Sequence, residues 1–112
     1  AKGAIVSTAS VAGLGVPGSS IAYGASKAGL INLTRSLAHA LAPDVRVNAV
    51  APGLVRTPWT DPWPDERKAQ TIGDCLLDRM VEPEEIAATM LFLACNSAIT
   101  GQTVAVDCGR TC

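Results

Sequence analysis

Tyr23 and Lys27 stand four residues apart in a chain of 112 residues that holds one tyrosine and three lysines. On a helix that spacing puts both side chains on one face, with Cβ atoms about 5–6 Å apart. An ammonium at that range favours the phenolate by Coulomb attraction, so Tyr23 could trade a proton near neutrality. Ser10 lies thirteen residues before Tyr23, just beyond the apolar run Ala4-Ile5-Val6. Ligands of open parallel sheets sit outside the carboxyl ends of the strands. A hydroxyl there and a phenol at the next helix start could both donate to one oxygen. A carbonyl whose carbon gains a hydride develops alkoxide charge on that oxygen, and fixed donors favour it. Ser7 and Thr8 compete with Ser10 for the role, and a strand-end hydroxyl also commonly caps its own loop.

The elements that must hold these groups follow from pattern and punctuation. Ala4-Ile5-Val6 reads as a short strand, and Gly13, Gly15, Pro17 and Gly18 punctuate a loop after it. From about Tyr23 to Leu41 the residues Leu30, Leu33, Leu37 and Leu41 recur three or four apart, a helical stripe that Pro43 ends. Small residues flank that stripe and predict a buried, crowded helix. Val45 to Val50 is a second strand, closed by Pro52-Gly53. Strand, helix, strand in that order implies a parallel crossover. Thr57 to Gly73 carries prolines, two tryptophans and clustered charges, the marks of a mobile surface segment that would suit a lid. Pro83, with acidic neighbours, starts another helix whose buried face would be Ile86, Met90, Leu91 and Leu93. Thr103-Val104-Ala105-Val106 is a third strand. The expected class is α/β, half of a doubly wound parallel sheet. Its first strand would expose an unpaired edge and an apolar face, so the chain reads as cut from something longer.

Composition narrows the chemistry. Nine basic residues against ten acidic ones, without a basic cluster beyond Arg67-Lys68, give no footprint for nucleic acid or an anionic membrane. Cys75, Cys95, Cys108 and Cys112 form no C-x-x-C pair and His39 is the single histidine, which argues against a metal cluster. We read the cysteines as reduced thiols of a cytoplasmic protein, with a Cys108–Cys112 disulfide as the alternative. Gly13-Leu14-Gly15-Val16-Pro17-Gly18 matches G-x-G-x-x-G. That pattern binds pyrophosphate only when a helix begins within the turn, and here Pro17 removes a donor while Ser19 to Ala22 delay the helix. A plain connection fits better. Asn32-Leu33-Thr34 has the glycosylation pattern but falls inside a predicted helix, and Arg56 is expected to solvate its loop.

The chain resembles the short-chain dehydrogenase/reductases. Ala4-Ile5-Val6-Ser7-Thr8-Ala9-Ser10 is similar to that family's catalytic-serine strand, Tyr23-Gly24-Ala25-Ser26-Lys27 to its Y-x-x-x-K helix, and Asn48-Ala49-Val50-Ala51-Pro52-Gly53 to its N-x-x-x-P-G strand end. Pro83-Glu84-Glu85-Ile86-Ala87 and Ile99-Thr100-Gly101-Gln102 extend the likeness. It spans nearly all 112 residues but only the family's C-terminal half. The fold it implies is the C-terminal half of a Rossmann-like sheet, ordered strand-helix-strand-lid-helix-strand, with the lid at about 57–77. It implies an NAD- or NADP-dependent oxidoreductase that interconverts an alcohol and a carbonyl. Ser10 would polarise the substrate oxygen, Tyr23 would transfer the proton, and Lys27 would support the phenol and bind the nicotinamide ribose. Val55 and Thr57 would meet the carboxamide, and Pro52 and Gly53 would shape that wall. Trp59, Trp63 and Cys75 are lid candidates for selectivity. The family's glycine-rich turn, its cofactor selector and its Asn-Ala-Gly segment are not in this sequence, and Cys108 stands where the family commonly has glycine. The resemblance also implies a homo-oligomer joined through the tyrosine helix and through the last helix and strand. The alternative expectation is a non-enzymatic fragment or oligomerisation module, inactive without an upstream partner.

Overall fold

The computed structural model describes residues 2–112. In chain order it forms β1 (Gly3–Thr8), a 3-10 turn (Val11–Leu14), α1 (Ile21–Leu41), β2 (Val45–Pro52), α2 (Asp65–Gly73), α3 (Pro83–Cys95) and β3 (Thr103–Val106). The three strands make one parallel sheet in the order β1-β2-β3. Ala4 lies opposite Arg46 and Thr8 opposite Val50, while Ala49 to Pro52 pair with Thr103 to Val106. β2 is central and nearly continuous in apolar residues, as a strand covered on both faces must be. Val47, Ala49, Val50 and Ala51 are all buried. β1 is an edge whose outer residues are open, with Ile5 42% exposed.

Local chemistry sets the ends of the helices. The Ser20 hydroxyl accepts the Tyr23 N–H at 3.0 Å and caps α1, so the helix begins two residues before the expected Tyr23. At α3, Pro83 occupies the first turn and the Glu85 carboxylate accepts the Glu82 N–H at 2.9 Å. Two buried polar side chains of β2 then tie α3 and the turn before β3 to the sheet. Arg46 donates to the carbonyls of Leu93, Ala94 and Ile99. Asn48 donates to the Ile99 carbonyl at 2.9 Å and accepts the Gln102 N–H at 3.0 Å. They satisfy the free carbonyls at the end of α3 and fix where β3 enters the sheet.

The expected crowding of α1 is not found within this chain. Only Thr34 and Ala38 are buried on it, while Leu33 and Leu41 of the expected stripe are exposed. The helix lays Thr34 and Ala38 against the sheet, and a residue one position away is rotated by about 100°, which turns Leu33 outward. The same correction applies to Leu91 on α3, which is 66% exposed beside Phe92, whereas Leu93 carries the burial. The segment expected as a mobile surface stretch contains α2. All four cysteines are free thiols, so the alternative Cys108–Cys112 disulfide is absent. The Thr34 hydroxyl of the glycosylation pattern is buried and donates to the Leu30 carbonyl at 2.8 Å. Among the described residues no helix is long and apolar enough to cross a membrane.

Candidate active site

β1 delivers Ser10, and the 3-10 turn after it delivers the chain toward α1. The Ser10 Oγ accepts the Ala12 N–H at 3.1 Å and caps that turn. The capping role foreseen as the plain alternative is therefore present. It uses a lone pair only, and the hydroxyl proton is committed to no acceptor among the described residues.

The turn can lie close to α1 because Gly13 has no side chain. A Cβ there would sit 2.7 Å from the Lys27 carbonyl carbon and 2.8 Å from the Ala28 nitrogen. Gly18 is similarly pressed against Ala12, where a Cβ would sit 2.8 Å from the alanine Cβ and 3.2 Å from the Tyr23 ring. Packing between glycine and helix therefore sets the approach of β1's end to the first turns of α1. The glycine segment has no phosphate cradle: the Gly13 N–H donates to the Ser10 carbonyl and the Val16 N–H to the Val11 carbonyl.

Lys27 donates from Nζ to the Thr8 carbonyl at 2.9 Å, and the same nitrogen lies 5.7 Å from the Tyr23 ring centroid. The Tyr23 ring is partly exposed, and its hydroxyl has no hydrogen-bond partner among the described residues. Thr8 enters the site through its backbone; Ser7 does not line the cavity.

At the end of β2, Pro52 and Gly53 carry the chain past Asp107, so closely that a Cβ on Gly53 would lie 2.8 Å from the Asp107 Cβ. Val55 pairs with Val81 as a parallel bridge. Arg56 and Glu82 add an ion pair at 2.9 Å, in place of the purely solvated arginine expected from sequence. Both ends of the 57–77 segment are therefore held at one point, as in a large surface loop with closed ends. Inside it, Thr60 accepts the Thr57 N–H at 3.1 Å and donates to the Val55 carbonyl at 2.8 Å, which holds Val55 and Thr57 in one turn.

These pieces enclose a single cavity of about 810 Å³. Ser10, Tyr23 and Lys27 line it, and so do Pro52, Gly53, Val55 and Thr57. The residues that the resemblance gives a catalytic or coenzyme-binding role therefore all line one space. Trp59 and Trp63 line it too, whereas Cys75 is buried beneath with Val81 and Cys108. Burial raises the Cys75 thiol above its usual range, with the neighbouring Cys108 adding to the effect. Sequence reasoning missed Thr60, Arg67 and Arg110, which also line the cavity. Only their chemical type could have suggested them, since no local pattern places them there.

The family model described as enoyl-(acyl carrier protein) reductase matches residues 1–111. The chain is 43% identical to the short-chain dehydrogenase/reductase homolog YusR of Bacillus subtilis (strain 168), over 97% of this chain and 84% of that protein. It therefore belongs to the short-chain dehydrogenase/reductase family. It is 45% identical to the meso-2,3-butanediol dehydrogenase of Serratia marcescens, over 98% of this chain but only 45% of that enzyme. A solved structure of 4-hydroxyisoleucine dehydrogenase complexed with NADH superposes with a TM-score of 0.91 at 34% identity, covering 98% of this chain and 47% of that one. The chain thus spans most of YusR and just under half of the other two.

Proposed function

We propose that this chain is the catalytic and substrate-binding half of an NAD- or NADP-dependent oxidoreductase that interconverts an alcohol and a carbonyl. The observation that carries the reading is the meeting of Ser10, Tyr23 and Lys27 on the cavity that Val55 and Thr57 also line. The residues present fit the nicotinamide end of such a coenzyme. Among the described residues neither the Val55 N–H nor the Thr57 hydroxyl has a hydrogen-bond partner, and both stand at the cavity ready for a carboxamide. The Gly13, Gly15 and Val16 N–H groups are taken by the Ser10 and Val11 carbonyls, so this glycine segment offers no row of free donors to a pyrophosphate.

When bound, the coenzyme supplies or accepts the hydride. In the direction of reduction the Ser10 hydroxyl donates to the substrate oxygen and the Tyr23 phenol transfers its proton to that oxygen as alkoxide charge develops. Lys27, anchored on the Thr8 carbonyl, keeps a positive charge near the phenol and stabilises the tyrosinate that remains. In oxidation the same groups run in reverse. Residues 57–77 act as the lid, with Trp59 and Trp63 excluding water from the reacting atoms.

Tyr23→Phe in the polypeptide carrying this sequence tests the assignment. Turnover should fall by about 10²- to 10⁴-fold, with the binding of NADH or NADPH retained. Wild-type rates would overturn it.

A second reading has its own observation. Leu33 and Leu41 on α1, and Leu91 and Phe92 on α3, are exposed. Such faces fit an assembly module that pairs with another copy through the tyrosine helix or through the last helix and strand. A well-folded monomer in size-exclusion chromatography would count against it.

A further inference from the structure

The cavity that holds Tyr23 carries more positive charge than the proton transfer uses. Arg67 on α2 and Arg110 beyond β3 both line it, and Asp74 is the one carboxylate that does so among the described residues. Both ion pairs of the described residues are made by other arginines, Arg56 with Glu82 and Arg79 with Glu85. The Arg67 guanidinium carbon lies 3.7 Å from the centroid of the Trp63 ring. Stacking of that kind fixes the plane of the guanidinium while leaving its N–H edge free to meet an anion. Arg110 is half-buried, on a turn that the Asp107 carboxylate holds by accepting the N–H groups of Gly109 and Thr111. Asp107 is thereby spent on backbone.

Lys27 serves the phenol and the Thr8 carbonyl. Lys27, Arg67 and Arg110 against Asp74 leave two positive charges at the cavity; with the Lys27 ammonium committed beside the phenol, the surplus at the two guanidiniums is one, which a carboxylate matches. Guanidinium meets carboxylate through paired N–H···O bonds, which supply orientation as well as attraction.

We propose that the substrate is a hydroxy or oxo acid whose carboxylate is bound by Arg67 and Arg110 while its alcohol or carbonyl carbon lies at Ser10 and Tyr23. This rests on the oxidoreductase reading for the identity of the reacting end. Coenzyme pyrophosphate is the other source of anionic oxygen that two arginines could meet, and the test separates the two.

Trp59 and Trp63 are the only tryptophans in the sequence and both line the cavity, so tryptophan fluorescence reports binding there without any turnover. The protein is titrated with 4-oxopentanoate, with its methyl ester and with inorganic pyrophosphate. The acid should give a saturable change, with a Kd at least about tenfold below that of the ester. Arg67→Gln and Arg110→Gln should each weaken the acid by about fivefold or more and leave the ester unchanged, while Arg56→Gln, outside the cavity, changes neither. Equal affinity for acid and ester, or no response to the acid, overturns the proposal. So does a loss confined to pyrophosphate, which would give the arginines to the coenzyme. If Tyr23→Phe leaves turnover intact, the oxidoreductase reading fails while the fluorescence comparison still decides whether a carboxylate binds at these arginines.

Discussion

Lys27 reaches from the second turn of α1 to the Thr8 carbonyl at the carboxyl end of β1, a contact of 2.9 Å. One ammonium therefore fastens helix to strand and places positive charge 5.7 Å from the Tyr23 ring centroid. Lys27→Met removes both effects and keeps the side-chain stem. The expected loss of stability is small, about 1 kcal/mol, because the contact is exposed to water. Turnover should fall much further, by about 100-fold or more, since the phenol loses the charge that supports it. Equal fractional losses in urea stability and in turnover would reduce Lys27 to a strut.

Two glycines flank the same region and should respond in opposite directions. Gly13→Ala drives a methyl group into the α1 backbone at Lys27 and Ala28. Backbone cannot yield as a flexible side chain does, so a destabilisation of about 2 kcal/mol or more is expected by urea unfolding. Gly29 lies on α1 with nothing within 4 Å of an added Cβ. Gly29→Ala should stabilise by about 0.5–1 kcal/mol through the usual helix preference. A stabilising Gly13→Ala would mean that the turn and α1 do not touch as described.

Asn48 is fully buried and bonds Ile99 and Gln102, more than fifty residues along the chain. Asn48→Leu keeps much of the volume, leaves the part-buried Gln102 N–H without its partner and leaves the Ile99 carbonyl to Arg46 alone. At about 1–3 kcal/mol for an unsatisfied group, the expected cost is roughly 1–3 kcal/mol. Hydrogen exchange should localise the damage to β3 and the turn before it, leaving the pairing of β1 with β2 protected. Uniform loss across all three strands would contradict this role.

The parts of the fold that were legible in sequence are those with local causes. Apolar runs ended by Pro43 or by Pro52-Gly53 showed β2 and the end of α1, and Pro83 with its acidic neighbours showed the start of α3. The Tyr23–Lys27 pair was legible because helical periodicity alone sets its spacing. What escaped depends on contacts between distant segments. Nothing near Arg46 or Asn48 signals partners at Leu93 or Ile99. The leucine stripe of α1 misled because apolar residues mark a face to be covered, and this chain does not itself cover Leu33 or Leu41. α2 was hidden by the prolines and charges around it, which read as loop.

Glu85 links the end of the lid segment to α3, accepting two parallel bonds from Arg79 at 2.7 and 2.9 Å. The guanidinium and the Glu82 N–H hold the Glu85 carboxyl well below its ordinary value, down to about 2. A carboxyl lowered on folding contributes stability that is complete above its unfolded value of 4.5 and is lost as the pH falls toward about 2. Carbon-detected NMR titration should find Glu85 as a late-titrating carboxyl, and Arg79→Gln should return it toward 4.5. A midpoint near 4.5 in the unaltered protein would mean that the pair does not persist in solution.

Cys108 occupies the left-handed backbone region, with φ at 55°. That conformation gives a physical reason for the glycine expected there, since a Cβ costs about 1–2 kcal/mol in it. Yet the Cys108 side chain is buried against Cys75 and Val81, and its carbonyl accepts the Leu77 N–H at 3.0 Å. Cys108→Gly trades relief of the backbone against loss of that packing, two effects of about 1 kcal/mol each and opposite sign. The melting temperature should therefore barely move. Cys108→Val adds a β-branched side chain in the same backbone region and should lose about 2 kcal/mol or more. Thiol labelling provides an independent check on the same packing. Cys95 and Cys112 are exposed, whereas Cys75 and Cys108 are buried and the Cys75 thiol resists ionisation. A brief pulse of iodoacetamide at pH 8 should modify Cys95 and Cys112 first, and early modification of Cys75 would show that the lid segment does not rest on Cys108.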